Sequence, residues 1–149
     1  MSPDRIEHEV LLNAPPARVW QALSDPQQFG AWFGVKLDTG FTAGQPLTGQ
    51  IMHPGYEHLR FTADVERVDE PRLLSFRWHP YGIDPKVDYS AEPKTLVEFR
   101  LEDAPEGTLL RVVESGFDGI PAHRRDEAWR MNDQGWAQQM QNIRRYVSG

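Results

Sequence analysis

From Arg5 to Leu12 the chain alternates, with Ile6, His8, Val10 and Leu12 on one face and Glu7 and Glu9 on the other, which predicts a half-buried strand. Asn13-Ala14-Pro15-Pro16 ends it. Prolines in a helix's first turn forfeit no needed N–H, and Val19, Trp20 and Leu23 follow at helical spacing, so a short helix is expected over about 15–23. Ser24-Asp25-Pro26 opens a second one carrying Phe29, Trp32 and Phe33 on one face, too short to persist unless it packs. Residues 35–53 hold three glycines and a proline among two weak strands. Pro54-Gly55 between His53 and Tyr56 suits the centre of a type II turn, because glycine accepts a positive φ.

Alternation then returns. Residues 57–68 place Leu59, Phe61, Ala63 and Val65 opposite Arg60, Thr62, Asp64 and Glu66. Asp69-Glu70-Pro71 makes a turn, 72–78 point Leu74, Phe76 and Trp78 inward, and 95–102 do the same with Val97, Phe99 and Leu101. After a turn at Ala104–Gly107 the last strand, 108–115, faces Leu110, Val112 and Glu114 to the core if Arg111 faces water. Residues 121–148 read as one long helix with Trp129, Trp136, Met140, Ile143 and Val147 in a single stripe. Gly135 inside it costs up to about 1 kcal/mol relative to Ala, so a close approach of some neighbour to the backbone is expected there. A strand, two short helices, a run of antiparallel strands and a long helix make an α+β domain, with one sheet bearing a helix on one face.

Length fits this: 149 residues suit a single domain over 1–149. Hydrophobic residues at 39% permit an ordinary core, or a core with a space in it. Sixteen basic against 22 acidic side chains give a net charge of −6, which argues against nucleic acid and anionic membrane surfaces as partners. The absence of cysteine removes disulfides, thiolate metal sites, iron–sulfur clusters and cysteine nucleophiles. The opening MSPDRIEHEV carries charges of both signs where a signal peptide needs an apolar run, and no stretch is apolar enough for membrane insertion; a cytoplasmic protein is expected.

The order of elements, together with Ala14-Pro15-Pro16, Val19-Trp20, Leu23, Asp25-Pro26 and Trp32-Phe33, resembles the START-like (SRPBCC) superfamily, in the branch named after the activator of heat-shock-protein ATPase homologue. The middle of the chain resembles that branch in Val65, Val68, Pro71, Leu74 and Trp78, and the end in Glu114–Phe117, Asn132, Gly135 and Trp136. The resemblance implies a helix-grip fold, a curved antiparallel sheet of six to seven strands wrapped around the C-terminal helix, often with a cavity between them. It implies carriers of lipids or hormones, aromatic polyketide cyclases or co-chaperone domains, with no shared catalytic set and no cofactor; fold analogy cannot choose among these.

Trp32, Phe33, Phe61, Phe76, Trp78, Phe99, Trp129 and Trp136 are expected to lie between sheet and helix, where they either fill the core or line a pocket for an apolar or aromatic small molecule. Glu114 and His8 fall on inward faces of the last and first strands, which are antiparallel neighbours in such a sheet. Either they meet, as a structural polar pair or as a hydrogen-bonding or acid–base pair in the cavity wall, or His8 reaches solvent at the strand's first turn. His53 and His58 are placed opposite each other across the hairpin, but neither Glu57 nor His79 completes a zinc set at a telling spacing, so no metal is expected. Residues 79–94 form a long aperiodic segment with Tyr81, Ile83 and Tyr89 to bury, a candidate lid. Arg124, Arg125 and Arg130, mixed with Asp126, Glu127 and Asp133, read as a solvated helix face. No nucleophile elbow, phosphate loop, dinucleotide fingerprint or His-Glu-x-x-His run is present. The leading expectation is therefore a non-catalytic small-molecule binder, with a cyclase- or hydrolase-like enzyme using Glu114 and His8 as the alternative and a chaperone-modulating interaction domain as a further one.

Overall fold

Seven strands pair into one curved antiparallel sheet: β1 (Arg5–Leu12), β2 (Val35–Leu37), β3 (Pro46–Ile51), β4 (Arg60–Asp69), β5 (Leu73–Trp78), β6 (Thr95–Ala104) and β7 (Gly107–Ser115). The computed structural model describes residues 3–82 and 86–148. Spatial order is β1-β7-β6-β5-β4-β3-β2, so successive strands are hairpin neighbours except where the first strand closes on the last. Two short helices, α1 (Pro16–Ser24) and α2 (Pro26–Phe33), follow β1, and the long α3 (Ala122–Ser148) packs on the concave face. This is the α+β helix-grip arrangement that the pattern and the resemblance implied. Among the described residues, no helix is long and apolar enough to cross a membrane.

Local chemistry accounts for the joints. Asp25 caps α2, its Oδ1 accepting from the Gln27 and Gln28 amides at 2.9 and 3.4 Å. Gly34 ends that helix at φ 92°, where a Cβ would lie 2.5 Å from His53 Nε2, so the position demands glycine for both conformation and space. The β6–β7 hairpin turns between Ala104 and Gly107, as expected. In β4 the pairing register shifts between Val65 and Arg67, and this bulge changes the strand's parity, so that Phe61, Ala63 and Val65 are buried and Val68 also packs against the core.

Three expectations need correction. The strand expected over 57–68 begins at Arg60, because two successive turns delay it. The Tyr56 amide donates to His53 O at 3.0 Å across Gly55 (φ 89°), and the Leu59 amide donates to Tyr56 O at 3.0 Å. The α3 stripe is not centred on Trp129, which is half-buried on its flank; Ala128 and Gln139 complete the buried face with Trp136, Met140, Ile143 and Val147. Nothing approaches Gly135 closely, since a Cβ there would meet nothing within 4 Å, so the glycine leaves a gap.

Candidate functional site

The space between sheet and helix is occupied mainly by rings. Phe29 stacks on Phe33 at 4.8 Å between centroids, and Phe99 lies 5.6 Å from Trp136 and 6.2 Å from Phe76, mostly in edge-on arrangements. Trp32 points its indole N–H at Ala22 O, 2.8 Å away, tying α2 to α1. Phe76 and Phe99 are fully enclosed and act as packing. Trp129 makes no ring contact with this cluster and donates instead to Arg5 O on β1 at 3.2 Å. Phe33, Phe61, Trp78 and Trp136 remain at the edge of the cluster, where space begins.

Glu114 lies at the centre of that edge and is fully buried. Four donors converge on its carboxylate: Trp78 Nε1 (2.7 Å) and Thr95 Oγ1 (2.5 Å) on Oε2, and Asn132 Nδ2 (2.9 Å) and Trp136 Nε1 (2.8 Å) on Oε1. Burial pushes its pKa above the usual carboxylate range, and the bonds from Thr95, Trp78, Trp136 and Asn132 oppose that rise. The carboxylate thereby fixes the orientation of two indoles whose centroids are 5.8 Å apart. His8 does not reach it. The β1–β7 register sets Ile6, not His8, opposite Glu114, and His8 faces Val112. Its Nε2 instead bonds Asp133 Oδ1 on α3 at 2.8 Å. The expected His8–Glu114 pair is thus replaced by two separate contacts from strands to α3. Asn132, which the sequence offers only as part of the family resemblance, and Gln139, which it does not single out, both take part here, and their spacing from Trp136 puts polar groups on the apolar face of the helix.

Two openings adjoin the indoles. A crevice of about 90 Å³ lies between Phe33, Trp78, Asn132, Gly135, Trp136 and Gln139. A larger groove of about 450 Å³ runs outward from Trp78 and Phe61, between the β3–β4 turn (Ile51, Leu59) and the segment after β5 (His79, Tyr81, Tyr89). Its size is in the range of small-molecule sites. Trp78 walls both spaces. Tyr81 holds a positive φ of 50° without being glycine, a conformation that costs about 1–2 kcal/mol and is retained here at the groove's rim. Burial raises its phenol pKa, with smaller contributions from Tyr56 and Glu127 in the same direction.

The segment 79–94 is fastened at its far end. Arg124 of α3 donates to Glu92 through Nε (2.9 Å) and Nη2 (2.6 Å), reaches Pro80 O at 2.9 Å, and sits 4.8 Å from the centre of the Tyr89 ring. Both members of the ion pair are largely sequestered, with side chains 12% and 14% exposed. Arg124 is therefore a clasp and not part of a solvated face. Arg125 is likewise engaged, with the Ile120 and Asp118 carbonyls. Ile83, expected to anchor this segment, lies outside the described residues.

The histidines of the β3–β4 hairpin do not face each other, because pairing is last seen at Gln50–Arg60 and His53 Nε2 turns to donate to Phe33 O at 2.8 Å. That carbonyl also accepts from Gln139 Nε2 at 2.9 Å. Among the described residues no group of three histidine or acidic side chains is placed to hold a metal.

Comparison with known proteins matches the fold and the family. A protein from Mesorhizobium loti, MLL2253, superposes with a TM-score of 0.77 at 24% identity, over 97% of this chain and 96% of that one. DynU16, described as a putative protein in the dynemicin biosynthetic locus, gives 0.76 at 25% identity; 99% of this chain matches 48% of that longer one. The Aha1 dimer from Colwellia psychrerythraea gives 0.72 at 15% identity, over 96% and 95% of the two chains. The curated proteins contain no match. The model of the family described as "Activator of Hsp90 ATPase homolog 1-like protein" matches residues 13–148, and the chain belongs to that family, a branch of the START-like superfamily.

Proposed function

We propose that this protein binds an apolar or aromatic small molecule in the groove beside Trp78, with the Gly135 crevice as its inner end. The observation that carries this reading is the indole wall: Trp78 faces open space on a side chain whose N–H is held by a buried carboxylate. A rigid aromatic surface flanked by Phe61, Leu59 and Tyr81 is what a flat apolar ligand stacks on. Both oxygens of Glu114 already accept two bonds each from the protein, which favours a positioning residue over a general base. The location of DynU16 in a biosynthetic locus is compatible with a small-molecule ligand here. In this reading Phe33, Phe61, Trp78 and Trp136 line the site, Glu114 holds two of them, and Trp32, Phe76, Phe99 and Trp129 support the frame.

Native mass spectrometry of freshly purified protein tests this, combined with titration of 2-naphthol into the wild type and Ser90→Trp. Ser90 is exposed on the groove wall, so the new indole occupies the groove without entering the core. A co-purifying small molecule, or 2-naphthol binding weakened at least tenfold by Ser90→Trp, is expected. Binding unaffected by that substitution would place the ligand elsewhere and overturn the proposal.

A further inference from the structure

The groove's wall mixes Ile51, Leu59, Phe61 and Trp78 with polar side chains, and its ligand's orientation depends on which of those polar groups is fixed in place. His79 is one of them, the residue immediately after Trp78, and it lines the same space. Its Nε2 lies 3.0 Å from Glu92 O. A carbonyl oxygen only accepts, so Nε2 carries the hydrogen, and in the neutral ring Nδ1 is left as an acceptor. The bond is held from both sides. Glu92 is clamped by Arg124, and its own amide donates to Tyr89 O at 2.9 Å, so the carbonyl that sets the tautomer is itself fixed to α3. The imidazole is thereby preorganised at the rim of an aromatic groove, and among the described residues no hydrogen bond engages its Nδ1.

We propose that His79 Nδ1 is the polar recognition point of the groove, and that the ligand class is a flat aromatic compound carrying a hydroxyl or N–H donor on its edge. This rests on the groove reading above and adds to it a residue and a chemical requirement. The ring system stacks against Trp78 and the edge donor bonds to Nδ1, so that compounds with the same rings and no donor bind more weakly. His79 here is a specificity-determining residue, and no bond is made or broken in the step.

The test compares 2-naphthol with 2-methoxynaphthalene by titration calorimetry at pH 8. The two probes share their rings, and the methyl ether lacks the donor. The wild type is expected to prefer 2-naphthol by roughly five- to tenfold, the effect of one added hydrogen bond. His79→Phe keeps a ring and removes the acceptor, and should bring the two affinities to within about twofold. His79→Gln restores an amide that reaches Glu92 O while offering an oxygen to the ligand, and should recover much of the preference; thermal unfolding of each variant confirms an intact fold. Equal affinities in the wild type, or a preference that survives in His79→Phe, overturn the role of His79 and leave the groove reading standing. If neither probe binds the wild type, the groove reading itself fails and this inference with it.

Discussion

At the scale of single residues, a buried carboxylate surrounded by four donors and no cation is the least expected feature of the chain. Its neighbours neutralise no charge; they only orient toward it, and burial therefore still raises its pKa. Because the folded pKa lies above the unfolded one, the folded state holds a proton more tightly, and stability falls as pH rises from the ordinary carboxylate range of about 4.3 through the folded value. Glu114→Gln should abolish that dependence, so the stability gap between wild type and variant narrows with rising pH in urea titrations. Near pH 7 the variant should still be destabilised by about 1–3 kcal/mol, since its NH₂ confronts donors and strands at least one buried N–H. A gap that widens with pH would contradict the raised pKa. Tyr81 offers a second single-residue test. Tyr81→Gly relieves the positive φ while removing a wall of the groove, so stability should stay within about 1 kcal/mol of wild type while 2-naphthol binding weakens severalfold.

At the scale of elements, α3 is joined to the sheet by polar contacts of Trp129 with Arg5 O, of Asp133 with His8, and of Asn132 and Trp136 with Glu114, and to the 79–94 segment by Arg124. Arg124→Ala leaves Glu92 without its partner and should cost about 1–3 kcal/mol, between the values for exposed and buried pairs. Hydrogen exchange should then rise in residues 86–94 and stay unchanged in β6 and β7. Gly135→Ala should stabilise the helix by up to about 1 kcal/mol in thermal unfolding, because the added methyl meets open space. The elements themselves were largely legible in the sequence, since strand alternation and the helical stripe are periodic and the periods differ. What periodicity could not convey was register. A shift of two residues decides whether His8 or Ile6 lies opposite Glu114, and only the completed β1–β7 pairing sets that. The role of Arg124 is hidden for a related reason: its partner Glu92 is 32 residues away in an aperiodic segment, and local charge pattern says nothing about such a contact. The aromatic set was found as a set, but its division into packing and wall depends on where the helix leaves gaps.

At the scale of the whole molecule, the sheet is open, with β1 and β2 as its two edges, and the β2 end, through β3 and β4, stands beside the groove. The proposed ligand site therefore joins that end of the sheet to a loop and leaves the β1, β7 and β6 end as a frame. Occupancy should couple to global unfolding by simple mass action. A probe at a hundred times its dissociation constant should add about 2.7 kcal/mol to stability, and the shift in Tm should vanish in Ser90→Trp. The two indoles that share Glu114 also form a pair of chromophores held 5.8 Å apart at a tilt of 31°. Transitions on rings so close and so fixed couple to each other, and the protein should carry a circular-dichroism signature of that geometry in the ultraviolet. A molecule stacking on Trp78 changes the pair's electronic surroundings without any label being attached, so the absorption of the resting protein already contains a reporter of whether its groove is filled.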